Sequence, residues 1–310
     1  MPDLRSLSLK QLRAYAAVIR SGSVTQAAQQ LSLTAPAISN HLKTLEALAG
    51  GPLVDRSGDG AAPTALGRPL LRIADEVEAA IERGELQLRA LKQGAEGCVV
   101  LAVVSTAKYF APQIVAAFGR AFPRVKVTLS VGNRGEIIAG LERNAYDLVI
   151  MGRPPAHIEV ERIVLGDHPH VLIAPPGDPL IDDPEVLPED LMARTFLARE
   201  EGSGTRMLTN RFLERLGGGR PFEIVEMGSN ETIKQAVIAG LGVAIISEHT
   251  CGAELAERRL ATIAMTSLPI VRQWYLLSRM GRPLDDAARS LRDFIRERRA
   301  DLLPAPVAPR

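Results

Sequence analysis

The sequence predicts an α/β fold in three parts: short helices with a small β-wing, one long helix, and a larger strand–helix alternation. Three observations carry this. Apolar residues recur at helical spacing from Leu9 to Leu48, and an amphipathic stretch runs from about Leu66 to Leu91. From Cys98 onward, buried-strand runs alternate with helical segments. The expected boundaries are 1–65, 66–92 and 93–301, with 302–310 as a proline-rich tail.

In the first part, Leu9, Leu12, Tyr15, Ala16 and Ile19 mark one helix, which Gly22 ends. Ser23 and Gln26 have the spacing of a capping box opening a second helix through Ala27, Ala28 and Leu31. Ser32 to Thr34 make a turn. Thr34 is the next N-cap, Pro36 sits in the first turn, and Ala37, Ile38, Leu42 and Leu45 face the core. The turn-rich stretch "GGPLVDRSGDGAAPTALG", with Leu53 and Val54, fits the wing. Thr64 caps the long helix, whose Leu66, Leu70, Ile73 and Val77 alternate steps of four and three, the seam of a dimerising coiled coil, with a helix packed on its own domain as the alternative reading.

In the third part, strands are expected at 98–104, 125–131, 146–151, 169–175, 195–199, 222–227, 242–247 and 272–278, with a closing helix over 284–299. Their alternation with helices predicts a parallel sheet. Two subdomains are expected, 96–167 with 271–301, and 168–270.

Bulk properties narrow the function. A net charge of +1 gives no general pull toward nucleic acid or anionic lipid. Residues 1–56 nevertheless carry six basic side chains (Arg5, Lys10, Arg13, Arg20, Lys43, Arg56) against three acidic ones (Asp3, Glu46, Asp55). No apolar run reaches membrane-spanning length, the start is not a secretory signal, and two distant cysteines make no disulfide framework, so a soluble cytoplasmic protein is expected. "GSGT" is neither a nucleophile elbow nor a P-loop, and His157, His168, His170 and His249 lack metal spacing. No enzyme chemistry, metal or cofactor is expected.

Three short helices, the last two joined by a tight turn, make a helix-turn-helix whose third helix suits the DNA major groove. Thr25, Ser32, Thr34, Ala35, Pro36, Ser39, Asn40 and His41 are candidates for the DNA face, with Lys43 and Arg56 for phosphates. Asn can pair with adenine, and Ala can touch a thymine methyl.

Ligands of open α/β sheets sit beyond the carboxyl ends of strands. Candidates there are Ser105, Thr106 and Lys108; Asn133 and Arg134; Arg153 near the subdomain crossover; Gly202, Ser203, Gly204, Thr205 and Arg206; and Gly228, Asn230 and Glu231. Hydroxyls, amides, cations and helix N-termini suit a phosphate or carboxylate. Asn230 also fits a simple helix cap, Lys108 a solvated lysine, and Arg206 an ion pair with Glu200, Glu201 or Glu231; Glu231 itself fits a cap or a group orienting a cation.

The segment "QLRAYAAVIRSGSVTQAAQQLSLTAPAISNHLKTLEALAGGPLVDR" resembles the N-terminal domain of LysR-type transcriptional regulators. That family joins a winged helix-turn-helix, a dimerising linker helix and a periplasmic-binding-protein-like effector domain of two subdomains. The likeness covers about Leu7 to Arg299. "VVSTAKYFAPQIV", "LSVGNRGEII", "DLVIMGRPP", "EEGSGTR" and "MGSNETIKQAVIAGLGVAIISEHT" resemble the members that control RuBisCO (Calvin–Benson) operons. The resemblance implies an activator of carbon-fixation genes that answers to a phosphorylated metabolite or NADPH. It implies a dimer of dimers acting on operator DNA, with RNA polymerase as a further partner. Control of another metabolic operon, or redox sensing through Cys98 and Cys251, are the alternative readings.

Overall fold

A computed structural model describes residues 4–57 and 60–304. The chain divides into two compact units, Met1–Glu85 with Arg143–Ala145, and Leu86–Glu142 with Tyr146–Arg310.

The first unit opens with α1 (Leu9–Ser21), α2 (Val24–Gln30) and α3 (Ala35–Ala49). Its first cap is a reciprocal box absent from the sequence reading: the Gln11 N–H donates to Ser8 Oγ, and the Ser8 N–H to Gln11 Oε1 at 2.8 Å. Ser23 does stand at the start of α2, but its side chain makes no cap bond, so the box expected with Gln26 does not form. Ser21 Oγ instead donates to the Ser23 carbonyl and holds the turn. Thr34 caps α3 as expected, accepting from the Ala37 N–H, with Pro36 in the first turn. Gly22 and Gly50 close α1 and α3 in the left-handed conformation that favours glycine.

Leu12, Tyr15, Val18, Ala27, Ile38, Leu42, Leu45 and Leu53 form the core of this unit. The wing is β1 (Val54–Asp55) paired antiparallel with β2 (Ala62–Pro63). Gly58 and Asp59, inside the expected wing, lie outside the described residues. Thr64 accepts from the Gly67 N–H at 3.0 Å and so caps α4 (Gly67–Lys92). A Cβ at Gly67 would stand 2.3 Å from the Leu53 carbonyl oxygen and 2.4 Å from the Tyr15 hydroxyl, so only glycine lets the helix start there.

The expected seam on α4 splits. Leu70 is 4% exposed and, with Ala74, belongs to the unit's own core, against which Val77 is partly buried. Leu66, in the turn just before α4, and Ile73 on it are 44% and 40% exposed. The reason lies in α1, whose Arg13 and Arg20 pair with Glu78 and Asp75 and hold one face of α4 against it.

The second unit is built on β3 (Gly97–Val104), β4 (Val125–Gly132), β5 (Leu148–Met151), β6 (Val160–Ala174), β7 (Phe196–Arg199), β8 (Ile224–Met227), β9 (Ala244–Ser247), β10 (Ala261–Ile263) and β11 (Ile270–Arg279). Its helices are α5 (Ala111–Ala121), α6 (Arg134–Glu142), α7 (Pro188–Met192), α8 (Gly204–Gly217), α9 (Asn230–Ile238), α10 (Glu248–Ala256) and α11 (Asp286–Leu302). The main sheet runs β10-β6-β11-β5-β3-β4, with β9 also on β6.

The sheet is mixed rather than parallel, which corrects the sequence expectation. β3 pairs in parallel with β4 and β5, and β7 with β8, but β11 runs antiparallel to both β5 and β6. β6 is 15 residues long and starts nine residues before the expected 169. Its polar first half, "VERIVLGD", hides the strand because it is only half-covered. β6 and β11 thus form a long two-stranded ribbon crossing the unit, with a register shift at Trp274/Tyr275.

Apolar cores form on either side of that crossing. One gathers Val99, Leu101, Phe110, Phe118, Ile150, Trp274, Leu291 and Ile295. Another gathers Leu172, Phe196, Leu208, Phe212, Val243 and Ile245, with a smaller group around Ile233, Val237 and Ile246. Leu302, expected to begin the tail, ends α11 and is buried in the first core. Residues 305–310 of that tail lie outside the described residues. Among the described residues, no helix is long and apolar enough to cross a membrane.

Candidate functional site

On the first unit, the sequence candidates gather around α3. Thr25, Ser32, Thr34, Pro36, Asn40, Lys43 and Arg56 are exposed, while Ala35, Ser39 and His41 are half-buried. Buried Ile38, Leu42 and Leu45 hold the opposite face of α3 in the core, so its polar side is free to meet a groove. The basic excess of the sequence is smaller in effect. Arg13 donates to Glu78 through Nε at 2.5 Å and Nη2 at 3.1 Å, and Arg20 pairs with Asp75, so neither is an unengaged cation for phosphate. Lys10, Lys43 and Arg56 remain exposed.

On the second unit, a small cleft open to solvent lies at the β6–β11 crossing. Seven sequence candidates line it: Ser105, Thr106, Arg134, Arg153, Ser203, Gly204 and Thr205. Ser203 stands at the N-cap of α8 without a side-chain cap bond and Thr205 lies in the first turn, so the helix N-terminus and both residues line the same space. Arg134 opens α6 and donates to the Arg153 carbonyl at 2.5 Å.

Two further guanidinium groups, Arg211 and Arg272, join the lining, and no carboxylate does. Burial, then repulsion from Arg153 and Arg272, draws the Arg134 guanidinium below its ordinary pKa. Burial, then Arg211 and Arg153, does the same to Arg272. His168 and His170 form part of the wall and are 4% and 3% exposed. Burial dominates in both, pushing His170 down to about 4 and His168 well below the ordinary range, so both rings are neutral.

These four residues were absent from the sequence candidates. "HPH" on a strand places His168 and His170 on one face, and Thr205, Leu208 and Arg211 share a face of α8. Those periodicities were a usable signal. Nothing in sequence marks Arg272, which enters because β11 pairs His168 with it.

The other candidates have different employment. Lys108 Nζ donates to Glu231 Oε2 at 2.7 Å, and the Tyr109 hydroxyl to Glu231 Oε1, so neither Lys108 nor Glu231 lines the cleft. Burial pulls the Glu231 carboxyl upward, but the bonds from Lys108 and Tyr109 prevail and hold it below the usual range. Asn133 and Glu136 cap α6 reciprocally. Gly202 sits at φ +82°, and its carbonyl accepts from the Gly135 N–H, tying the glycine turn to α6. Gly228 precedes Ser229, and Ser229 rather than Asn230 caps α9. Arg206 turns away from the cleft; Nη1 donates to the Arg199 carbonyl at 2.9 Å and lies 3.6 Å from Glu226, not from Glu200, Glu201 or Glu231.

The turn is anchored by Arg199, another residue missed in sequence. Its buried guanidinium donates to both Glu200 oxygens at 2.7 and 2.8 Å, to Asn230 Oδ1 at 2.7 Å and to Ser105 Oγ at 3.2 Å. Its position at the end of a buried strand was the available clue.

Comparison with known proteins now decides the family. The family described as "Bacterial regulatory helix-turn-helix protein, lysR family" matches residues 9–68, and "LysR substrate binding domain" matches residues 92–300. The chain belongs to the LysR family of DNA-binding transcriptional regulators. It is similar to the HTH-type transcriptional regulator CbbR of Cereibacter sphaeroides, at 44% identity over 99% of this chain and 100% of that protein. The RuBisCO operon transcriptional regulator of Allochromatium vinosum is 39% identical over 93% of this chain and 95% of its own. Among solved structures, the Synechocystis PCC6803 CcmR regulatory domain in complex with 2-PG aligns at 32% identity and TM-score 0.62, over 65% of this chain and 97% of that one.

Within this LysR-family chain, the cysteines are poor redox sensors. Cys98 and Cys251 are free thiols, 7% and 0% exposed. Burial pushes Cys251 up to about 12 and raises Cys98 too, and the thiolate is the reactive form. That removes the physical basis for redox sensing through this pair.

Proposed function

We propose that this LysR-family regulator controls a carbon-fixation (RuBisCO) operon and is switched by an anionic, phosphorylated effector held in the cleft of its second unit. The operon assignment rests on full-length similarity to proteins named CbbR and RuBisCO operon regulator. The observation that carries the effector class is the cleft lining: Arg134, Arg153, Arg211 and Arg272 with no carboxylate among them. Charge-assisted bonds to an anion in such a place are the strong ones. The similar CcmR regulatory domain, whose structure is in complex with 2-PG, supports a small ligand at this kind of domain.

Thr106, Arg134 and Arg153 come from one side of the crossing ribbon, and Ser203, Thr205 and Arg211 from the other. A ligand touching both favours the closed arrangement, and any difference in its affinity for open and closed forms shifts their populations. Self-association through exposed Leu66 and Ile73 would present paired recognition helices to a two-fold operator. Calorimetric titration of the full chain with phosphorylated Calvin-cycle intermediates and NADPH is the test, alongside anisotropy with DNA from upstream of RuBisCO genes. Absence of binding by every phosphorylated compound, or indifference to that DNA, sinks the proposal.

A further inference from the structure

His168 is the anomaly of the cleft. Its ring is buried, yet neither Nδ1 nor Nε2 has a hydrogen-bond partner among the described residues. A buried polar group left unpaired is destabilising, so such a group in a ligand cleft calls for a partner. The ring is also held firmly. It lies on Trp274 at 3.7 Å between centroids, and His170 stands 4.2 Å away. A Cβ at Gly152 would come within 2.7 Å of His168 Nδ1, so the glycine exists to make room for this imidazole.

Burial keeps the ring neutral, and the charged and titratable groups around it add to that: His170 on its own strand, His249 on α10 and Arg272 on β11 are all potential cations. A neutral imidazole has one N–H and one bare nitrogen. The four arginines of the cleft can only donate. His170 differs, because its Nδ1–H donates to the His168 carbonyl at 3.1 Å and its ring is also bonded to the Ile270 backbone. His168 therefore supplies a fixed ring acceptor in a site otherwise dominated by cationic donors.

We propose that His168 is the specificity-determining residue of the cleft: its ring nitrogen accepts a hydrogen bond from a ligand hydroxyl, so the site selects hydroxylated organic phosphates over deoxy analogues of equal charge. This rests on the anion-binding reading of the same cleft. Discrimination comes from the orphaned nitrogen, which a deoxy ligand would leave buried and unpaired.

The test uses the full chain, titrated calorimetrically at constant ionic strength with three probes: inorganic phosphate, n-propyl phosphate and glycerol 3-phosphate. The last two share a phosphate and a three-carbon chain and differ in hydroxyls. Wild type should prefer glycerol 3-phosphate by about tenfold. His168→Phe keeps a flat ring on Trp274 and should bind both esters alike, while His168→Gln, which restores an acceptor, should recover part of the preference. Equal affinity for the two esters in wild type, or an undiminished preference in His168→Phe, overturns the inference and leaves the anion cleft standing. Failure of all three probes to bind overturns both.

Discussion

The His168 imidazole lies flat on the Trp274 indole, with ring planes 15° apart, and Trp274 Nε1 in turn donates to His249 Nδ1 at 3.1 Å. Two neutral histidines, His168 and His249, thus flank one fully buried tryptophan at the point where β11 shifts register against β6, and His170 stands behind His168. A ring whose folded pKa is depressed binds its proton more weakly in the folded chain than in the unfolded one. Stability is then intact above the unfolded value near 6.5 and is lost as pH falls below it. For His170, whose folded value is about 4, the loss between pH 6.5 and 4 is about 3 kcal/mol. Urea midpoints of the full chain should therefore fall steeply over that window. His170→Gln should flatten the slope; an unchanged slope would mean that His170 is not held neutral.

The cleft arginines and Arg206 should part company in mutagenesis. Arg272→Met removes one of four uncompensated cations from the lining and should weaken an anionic effector by about ten- to a hundredfold, the value of a charge-assisted bond. Operator binding without effector should persist. Arg206→Ala should cost far less affinity, because its guanidinium closes the glycine turn on the Arg199 carbonyl instead of facing the cleft. Equal losses for the two variants would put Arg206 back into the site.

How much of this was legible beforehand follows from the kind of signal each residue gives. Caps and periodic apolar positions are local, so Thr34, Gly22 and the core of α3 could be placed directly. The hydroxyls Ser203 and Thr205 were legible for the same reason, since they open a helix after a buried strand. Arg272 was not, because its place depends on pairing between strands about a hundred residues apart. Arg206 misled because a cation beside a glycine turn looks alike whether it points inward or out. The split of the α4 seam was equally hidden: heptad spacing places Leu66 and Leu70 on one stripe, but only the Arg13 and Arg20 ion pairs fix which part of the helix the neighbouring core covers.

On the DNA-binding unit, charge and base reading should separate. Lys43 is exposed on α3, and Lys43→Ala should weaken binding to every sequence alike and lower the salt dependence of binding by about one ion. Asn40→Ala should instead change base preference, with the salt slope kept, because an amide reads base edges. Arg13→Ala and Arg20→Ala should leave the salt slope nearly unchanged, since both cations are engaged by α4 carboxylates. Anisotropy titrations across salt concentrations check all four variants, and a large slope change in the Arg13 variant would mean its ion pair opens to phosphate.

Assembly should depend on the part of the α4 stripe that its own unit leaves uncovered. Leu66 and Ile73 are exposed aliphatic side chains seven residues apart, a heptad step, which is the pattern a partner helix would cover. Leu66→Asp with Ile73→Asp places charges on that stripe without entering the core, so the variant should stay folded by circular dichroism. Its mass by light scattering should drop, and its affinity for a two-fold operator should drop with it. Leu70→Ala supplies the contrast. That side chain is buried against the first unit's core, so its loss should cost about 2–5 kcal/mol of stability with oligomeric mass retained where the chain is folded. If the double aspartate variant keeps wild-type mass, the exposed stripe is not the dimer seam; if Leu70→Ala changes mass while thermal stability is untouched, Leu70 belongs to the interface after all.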